Sequence, residues 1–430
     1  MPRNRLEHAL AALILTGVAY AAWHLASAGF LPVPFFVDNA DTYMDWFNTA
    51  WWSRDRGTYD VWRSIYPPLS FLFLRMFGID RCYAGDALAA RDCDGLGVAA
   101  LWAFWLIDLW LIARIYARTD RATALPRTIA LGFGLPMLFG LERGNLAIVC
   151  LAPFMLAFGP LVRAAWQRWL AAAVAINFKP YLIVAIMPAL LRRKWRWFEG
   201  ALIATAIVYA ISWGLFGRGT PAEIATNSIL FAQAIKPVVA WKDALAGGSY
   251  NVLASVLAGP LPVSSAIGSD AVARAAVAIP VAIHTAQALI ALAALMAWLR
   301  PGAIPAHRMT ALAIAFALIT NEAGLYALIF FLYLLFLERW SGIGRIVALV
   351  CGYLICLPFD LWITPLYPIV QQSWLGGAAV TVDDALTLGP LVRPGLVIVA
   401  SIALSLSTIA AAWRALIADR PHRLPMLALA

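Results

Sequence analysis

Long hydrophobic runs separated by short arginine clusters set the pattern of this chain. A helix crossing a bilayer needs about 20 apolar residues. Runs that approach or reach that length lie at 9–30, 96–116, 128–141, 146–162, 201–216, 271–299, 346–363 and 394–413. The first follows Arg3 and Arg5 and has no clean small-residue cleavage site after it, so it reads as an uncleaved anchor. Two more stretches are interrupted. Residues 169–191 break at Asn177-Phe178-Lys179-Pro180, and 309–337 break at Thr320-Asn321-Glu322-Ala323-Gly324. Halves of about 10 to 14 residues suggest helical hairpins that turn at or within the membrane; ordinary hairpins reaching the far surface are the plainer alternative. The pattern predicts an all-α, polytopic transmembrane helical protein with about 10 to 12 membrane segments. It forms a single integral membrane domain over residues 1–430, with helices in its outer loops.

Composition agrees. The chain is 63% hydrophobic and 13% charged, against about 25% charged in soluble domains. A net charge of +9 raises nucleic acid as a partner, but the basic residues stand singly or in short clusters between apolar runs. They read as orientation signals and contacts for membrane lipids, with no nucleic acid. Nineteen of the 32 basic residues fall in short loops on one side of the predicted topology, among them Arg114, Arg118, Arg192, Arg193, Arg339 and Arg345. That side is then cytoplasmic, with both termini. Longer loops at 31–96, 217–270 and 364–393 face out, and the first holds nine of the 23 acidic residues. Cys82 and Cys93 share that loop, where an oxidising compartment would permit a disulfide. Cys150, Cys351 and Cys356 lie in apolar runs as packing residues.

The first loop carries the candidate chemistry. Asp38, Asp41 and Asp45 are interleaved with aromatics. Helical spacing over 42–52 places Tyr43, Phe47, Ala50 and Trp51 on one face, and Asp41 and Asp45 at i, i+4. An amphipathic helix on the outer leaflet is expected, with Asp38 or Asp41 as a possible cap. Clustered carboxylates disfavour joint ionisation, which raises one toward the range of a general base. Next, Tyr66-Pro67-Pro68-Leu69 predicts a rigid turn into a segment too short to span. Arg63 is an interface anchor or a phosphate ligand. Arg143 either binds phosphate or pairs at the surface with Glu142. Lys179 is costly at membrane depth unless it snorkels or faces a cavity, and is functional by default. Asp108 meets the same cost, with a nearby arginine as its candidate partner. Glu322 lines a pocket or pairs with a basic neighbour. The histidines (His8, His24, His284, His307, His422) make no metal-ligand spacing, and neither a Walker loop nor a dinucleotide fingerprint occurs, so no metal or cofactor is expected.

Five motifs occur in order: Asp41-Thr42-Tyr43, Gly57-Thr58-Tyr59, Tyr66-Pro67-Pro68-Leu69, Arg143-Gly144-Asn145, and Phe178-Lys179-Pro180-Tyr181 ahead of Arg192-Arg193-Lys194-Trp195-Arg196. Together with the topology they resemble glycosyltransferase family 87, polytopic membrane enzymes of GT-C type. The resemblance covers the first half of the chain; the second half is similar mainly in hydrophobic pattern. The chain departs at Asn321-Glu322-Ala323-Gly324-Leu325-Tyr326, where family members often carry a Ser-Pro-x-Ser-Trp-like segment and a histidine. It departs again at Asn145, where Gln is common. The resemblance implies a bacterial inner-membrane enzyme with a periplasm-facing site. Its donor would be a polyprenyl-phosphate sugar, mannose-like, and its acceptor a lipid or glycan, joined by an inverting single displacement. Asp41, then Asp38 and Asp45, are the candidates for the base. Tyr43, Arg63, Tyr66, Arg143, Asn145, Lys179, Glu322 and Tyr326 are the candidates for binding substrate. A lipid-linked-sugar flippase or other transporter is the main competitor, weakened by the lack of an internal repeat. A noncatalytic partner in an envelope complex is another.

Overall fold

A computed structural model of the protein describes residues 3–35, 41–55, 57–238, 268–320, 324–363, 367–372, 379–384 and 387–418. Asp38 and Glu322 lie outside these. In chain order the helices are α1 (Arg3–Ala28), α2 (Met44–Trp52), α3 (Pro68–Met76), α4 (Ala87–Cys93), α5 (Gly95–Thr119), α6 (Arg121–Gly132), α7 (Leu135–Arg143), α8 (Ala147–Phe158) and α9 (Ala165–Phe178). There follow α10 (Met187–Leu191), α11 (Trp195–Phe216), α12 (Pro221–Val238), α13 (Ser269–Leu299), α14 (Ala306–Thr320), α15 (Leu328–Leu335), α16 (Ile343–Ile355) and α17 (Gly389–Ala418). Among the described residues, six stretches are long and apolar enough to cross a membrane: Arg5–Ala28, Gly95–Thr119, Arg121–Arg143, Trp195–Phe216, Ser269–Leu299 and Gly389–Ala418.

The remaining apolar runs are shorter helices. The run at 146–162 forms only α8, and that at 346–363 only α16. Both interrupted stretches break where their polar residues fall. Lys179 is extended (φ −134°, ψ 95°), and Pro180 opens a 3-10 segment, Pro180–Ile186, before α10. On the other hairpin α14 ends at Thr320, and a 3-10 turn at Leu325–Ala327 leads into α15. Every residue of α15 is fully buried, as expected of a helix that is apolar on all sides. Phe330, Tyr333 and Phe336 pack there against Phe154, Tyr116 and Tyr353.

Two features depart from the expected plan. The segment 364–393, expected to face out, contains an antiparallel strand pair, Tyr367–Gln372 with Ala379–Asp384, registered Tyr367 opposite Asp384. Ile369, Val370, Val380, Thr381 and Val382 give these strands the β-branched character that favours a pleated surface. And α2 does not lie on a lipid surface. Its Met44, Trp46, Phe47, Thr49 and Ala50 are buried in the same core as Leu74, Ala90 and Leu101. Of the face read from spacing, Phe47 and Ala50 are buried within the helix, Trp51 is half-buried and Tyr43 precedes it; Met44, Trp46 and Thr49 are buried as well, so protein covers more of the helix than that face.

A buried polar network ties the other end of the bundle. Arg127 Nε donates to Glu7 at 2.9 Å, and the Tyr353 hydroxyl donates to the same carboxylate at 2.8 Å. Arg127 also donates to the carbonyls of Phe336 and Glu338. The Glu338 carboxylate in turn takes Arg308 at 2.5 and 2.6 Å and His307 at 3.1 Å. Burial opposes the charge on Glu338, but the hydrogen bonds from His307 and Arg308 outweigh it and hold the group at about 2.

Candidate active site

The first loop is braced before its acids are placed. Cys82 and Cys93 form a disulfide. The Tyr83 hydroxyl donates to Asp94 at 2.7 Å, and Asp94 caps α5 through the Gly97 N–H. Arg54 pairs with Asp80 at 2.7 Å. Pro67 and Pro68 stand at the start of α3 and fix its entry.

Against this frame the end of α7 meets the start of α2. Gly144 ends α7 in the left-handed region (φ 68°), which a side chain rarely adopts. A Cβ there would lie 2.9 Å from the Tyr43 carbonyl oxygen and 3.0 Å from its Cα. The missing side chain lets the two backbones touch, and the Tyr43 N–H donates to the Glu142 carbonyl at 2.8 Å. Tyr43 is itself left-handed (φ 62°) at the head of α2, with no side-chain cap. Asp41 therefore does not cap the helix, as the plainer reading had it.

Its carboxylate instead reaches Arg143 at 3.0 Å, while Asp45 takes the other guanidinium nitrogen at 2.9 Å. In place of the alternative surface pair with Glu142, Arg143 bridges two loop aspartates. Asn145 Nδ2 donates to the second oxygen of Asp45 at 2.7 Å, and its own Oδ1 accepts from the Ala147 N–H at 2.9 Å. Both oxygens of Asp45 are thus engaged. Asp41 has one ion pair and a side chain 40% exposed, twice the 20% of Asp45.

Lys179 completes the group from the break after α9. Its ammonium is buried, donates to the Tyr66 hydroxyl at 3.3 Å, and lies 4.7 Å from the Tyr66 ring centre and 5.5 Å from that of Tyr326. Among the described residues it has no ion-pair partner. Cation–π contacts contribute about 0.5 to 2 kcal/mol each, whereas burying an ammonium costs several. Among the described residues, the site therefore holds a cation whose neutralisation is incomplete. Tyr66 and Tyr326 both lie within electrostatic range of Asp45 and Arg143, and Tyr66 meets Asn145. Burial, and next the charge of Asp45, push the Tyr66 phenol upward, so it remains a donor at neutral pH.

Of the residues expected from sequence, Asp41, Asp45, Tyr43, Tyr66, Arg143, Asn145, Lys179 and Tyr326 converge. Tyr43 contributes mainly backbone; its hydroxyl accepts from Trp102 Nε1 at 3.3 Å. Arg63 stands apart: it is exposed and makes no hydrogen bond or ion pair among the described residues. Asp38 and Glu322 fall outside the described residues. Two groups were missed. Glu142 is buried beside Asp41, Asp45 and Arg143, with neither carboxylate oxygen hydrogen-bonded among the described residues. An acid at the end of an apolar run, directly before the motif arginine, was the available signal. The buried Tyr181 hydroxyl is likewise unpartnered and lies within electrostatic range of Tyr66 and Tyr326. It follows Lys179-Pro180 directly, and the tight 3-10 turn carries it back to the cluster. Asp108, inside α5, has no hydrogen bond and no arginine partner among the described residues.

The helices define a multi-pass membrane protein, and the cluster gives it a candidate site in which acids, cations and phenols converge. No protein-family model, curated protein or solved structure matches the chain.

Proposed function

We propose that the protein is a membrane glycosyltransferase of GT-C type, resident in a bacterial inner membrane. It moves one sugar, a mannose-like hexose, from a polyprenyl phosphate to a lipid or glycan acceptor at the periplasmic face. One observation carries the reading. Carboxylates from the first loop meet Arg143 and Asn145 beside a buried Lys179 that has no ion-pair partner among the described residues. A proton acceptor next to cations suits the attack of a hydroxyl on a carbon that carries phosphate.

In the proposed displacement the acceptor oxygen bonds to the anomeric carbon as the bond from that carbon to the phosphate oxygen breaks, with inversion. The hydroxyl proton passes to Asp41, the more accessible carboxylate. Polyprenyl phosphate departs with its charge, and Lys179 and Arg143 stabilise that charge as it develops. Asp45, gripped at both oxygens, holds Arg143 and Asn145 in place. The outward orientation is supported by the disulfide in the same loop, since such bonds persist in oxidising compartments.

The test is purified protein with a panel of polyprenyl-phosphate sugars and lipid acceptors. Asp41→Asn should lower sugar transfer by roughly 10²- to 10⁴-fold, the usual worth of a general base. Undiminished transfer by that variant would remove Asp41 from the role. If the native protein moves lipid-linked sugar between leaflets but transfers none, a transporter replaces the enzyme.

A further inference from the structure

At the end of the bundle that carries the Glu7–Arg127 network, α16, α17 and the segment leading into α14 line a groove of about 700 Å³. We propose that this groove binds an anionic phospholipid, its headgroup among the arginines and its acyl chain along α17. The inference is independent of the sugar-transfer reading.

Three arginines line the groove: Arg308, Arg345 and Arg414. Arg308 is already neutralised by Glu338 at 2.5 Å. Arg345 is not. Among the described residues it makes no hydrogen bond or ion pair, and it feels the repulsion of Arg308, Arg339 and Arg414. The carboxylate within its electrostatic range is Glu338, which Arg308 and His307 already hold. Arg414 donates to the Ala410 carbonyl at 3.2 Å, and among the described residues it has no ion-pair partner. Two guanidiniums therefore converge on one opening with no counter-charge of their own among the described residues. A phosphate monoanion fits that surplus, since guanidinium forks bind phosphate oxygens in pairs.

The walls determine what the phosphate belongs to. Gly344 lets the helices close up at the floor: a Cβ there would lie 2.4 Å from Ser407 Oγ and 2.5 Å from the Ala403 carbonyl. Along the groove stand Val399 and Leu406, which are 45% and 52% exposed. A free anion would leave this apolar wall uncovered. A lipid covers it with one acyl chain while its phosphate reaches Arg345 and Arg414. Basic pockets between membrane helices on the cytoplasmic side recognise anionic lipids by this combination.

The purified full-length chain, equilibrated in mixed micelles of phosphatidylglycerol and phosphatidylcholine and examined by native mass spectrometry, tests the assignment. The native protein should retain phosphatidylglycerol in preference to phosphatidylcholine. The double variant Arg345→Gln, Arg414→Gln should lose that preference by on the order of 30-fold, at about a tenfold or less per arginine. Leu406→Asp should weaken retention with both arginines intact. Equal retention of the two lipids, or an unchanged preference in the double variant, would overturn the proposal. So would displacement of the lipid by millimolar inorganic phosphate, which would mark a simple anion site, or phosphatidylglycerol binding untouched by Leu406→Asp.

Discussion

Asp41 and Asp45 are four residues apart and share one arginine, yet their surroundings assign them different work. Asp45 is bound at both oxygens and fixes Arg143 and Asn145; Asp41 keeps an oxygen toward solvent. Sequence spacing puts them on one face but cannot rank them, because the ranking comes from Asn145, which is distant in the chain. Lys179 carries the sharper consequence. It is a buried ammonium held by one phenol and two rings, so the folded state gains little from its charge. Lys179→Met should leave thermal stability in detergent unchanged or raise it by up to about 1 kcal/mol. The same variant should lower kcat for sugar transfer by roughly 10²- to 10³-fold, the scale of losing one transition-state cation. Parallel thermal unfolding and turnover measurements check both halves; a large drop in stability with kcat intact would make Lys179 structural.

Among the elements, the contact of α7 with α2 is decisive, because one residue without a side chain permits it. Gly144→Ala should destabilise the protein by roughly 1 to 3 kcal/mol, through left-handed strain and the collision with the Tyr43 backbone. It should also depress transfer beyond the fraction unfolded, since the bridge from Arg143 to both aspartates shifts with it; activity per folded molecule is the readout. Much at this scale was legible. The apolar runs gave the long helices, Pro180 gave the break after Lys179, and the paired prolines gave the start of α3. What failed did so for tertiary reasons. An amphipathic pattern tells that α2 has a face to bury but not whether lipid or protein covers it. A strongly apolar chain also hides a short hairpin such as that at 367–384, whose strands are too brief to shift the composition. Glu142 and Tyr181 were missed because what marks them is burial without a hydrogen-bond partner among the described residues, which packing reveals.

For the molecule as a whole, the two ends of the bundle contrast: one holds a buried cation without an ion-pair partner among the described residues, the other a closed polar network. Glu338 is ionised in the fold with its group held at about 2, against an ordinary carboxylate value near 4.5. Its pair therefore contributes fully above about pH 4.5 and is lost as pH falls through the folded value. Thermal stability should decline between about pH 4.5 and 2, and Glu338→Gln should flatten that decline. The variant should also lower stability at neutral pH by about 3 to 5 kcal/mol, because it leaves Arg308 buried without its counter-charge. Unfolding curves across that range, native beside variant, provide the check. The convergence of the site has a further consequence, for biosynthesis. Its residues come from the first loop, from the end of α7, from the break after α9 and from the turn before α15. These emerge from the ribosome at well-separated times. Until Tyr326 has been made, Lys179 has one of its two aromatic rings beside it instead of both. A chain released early would embed in the lipid and keep its loop disulfide, yet it would lack the wall that finishes the site.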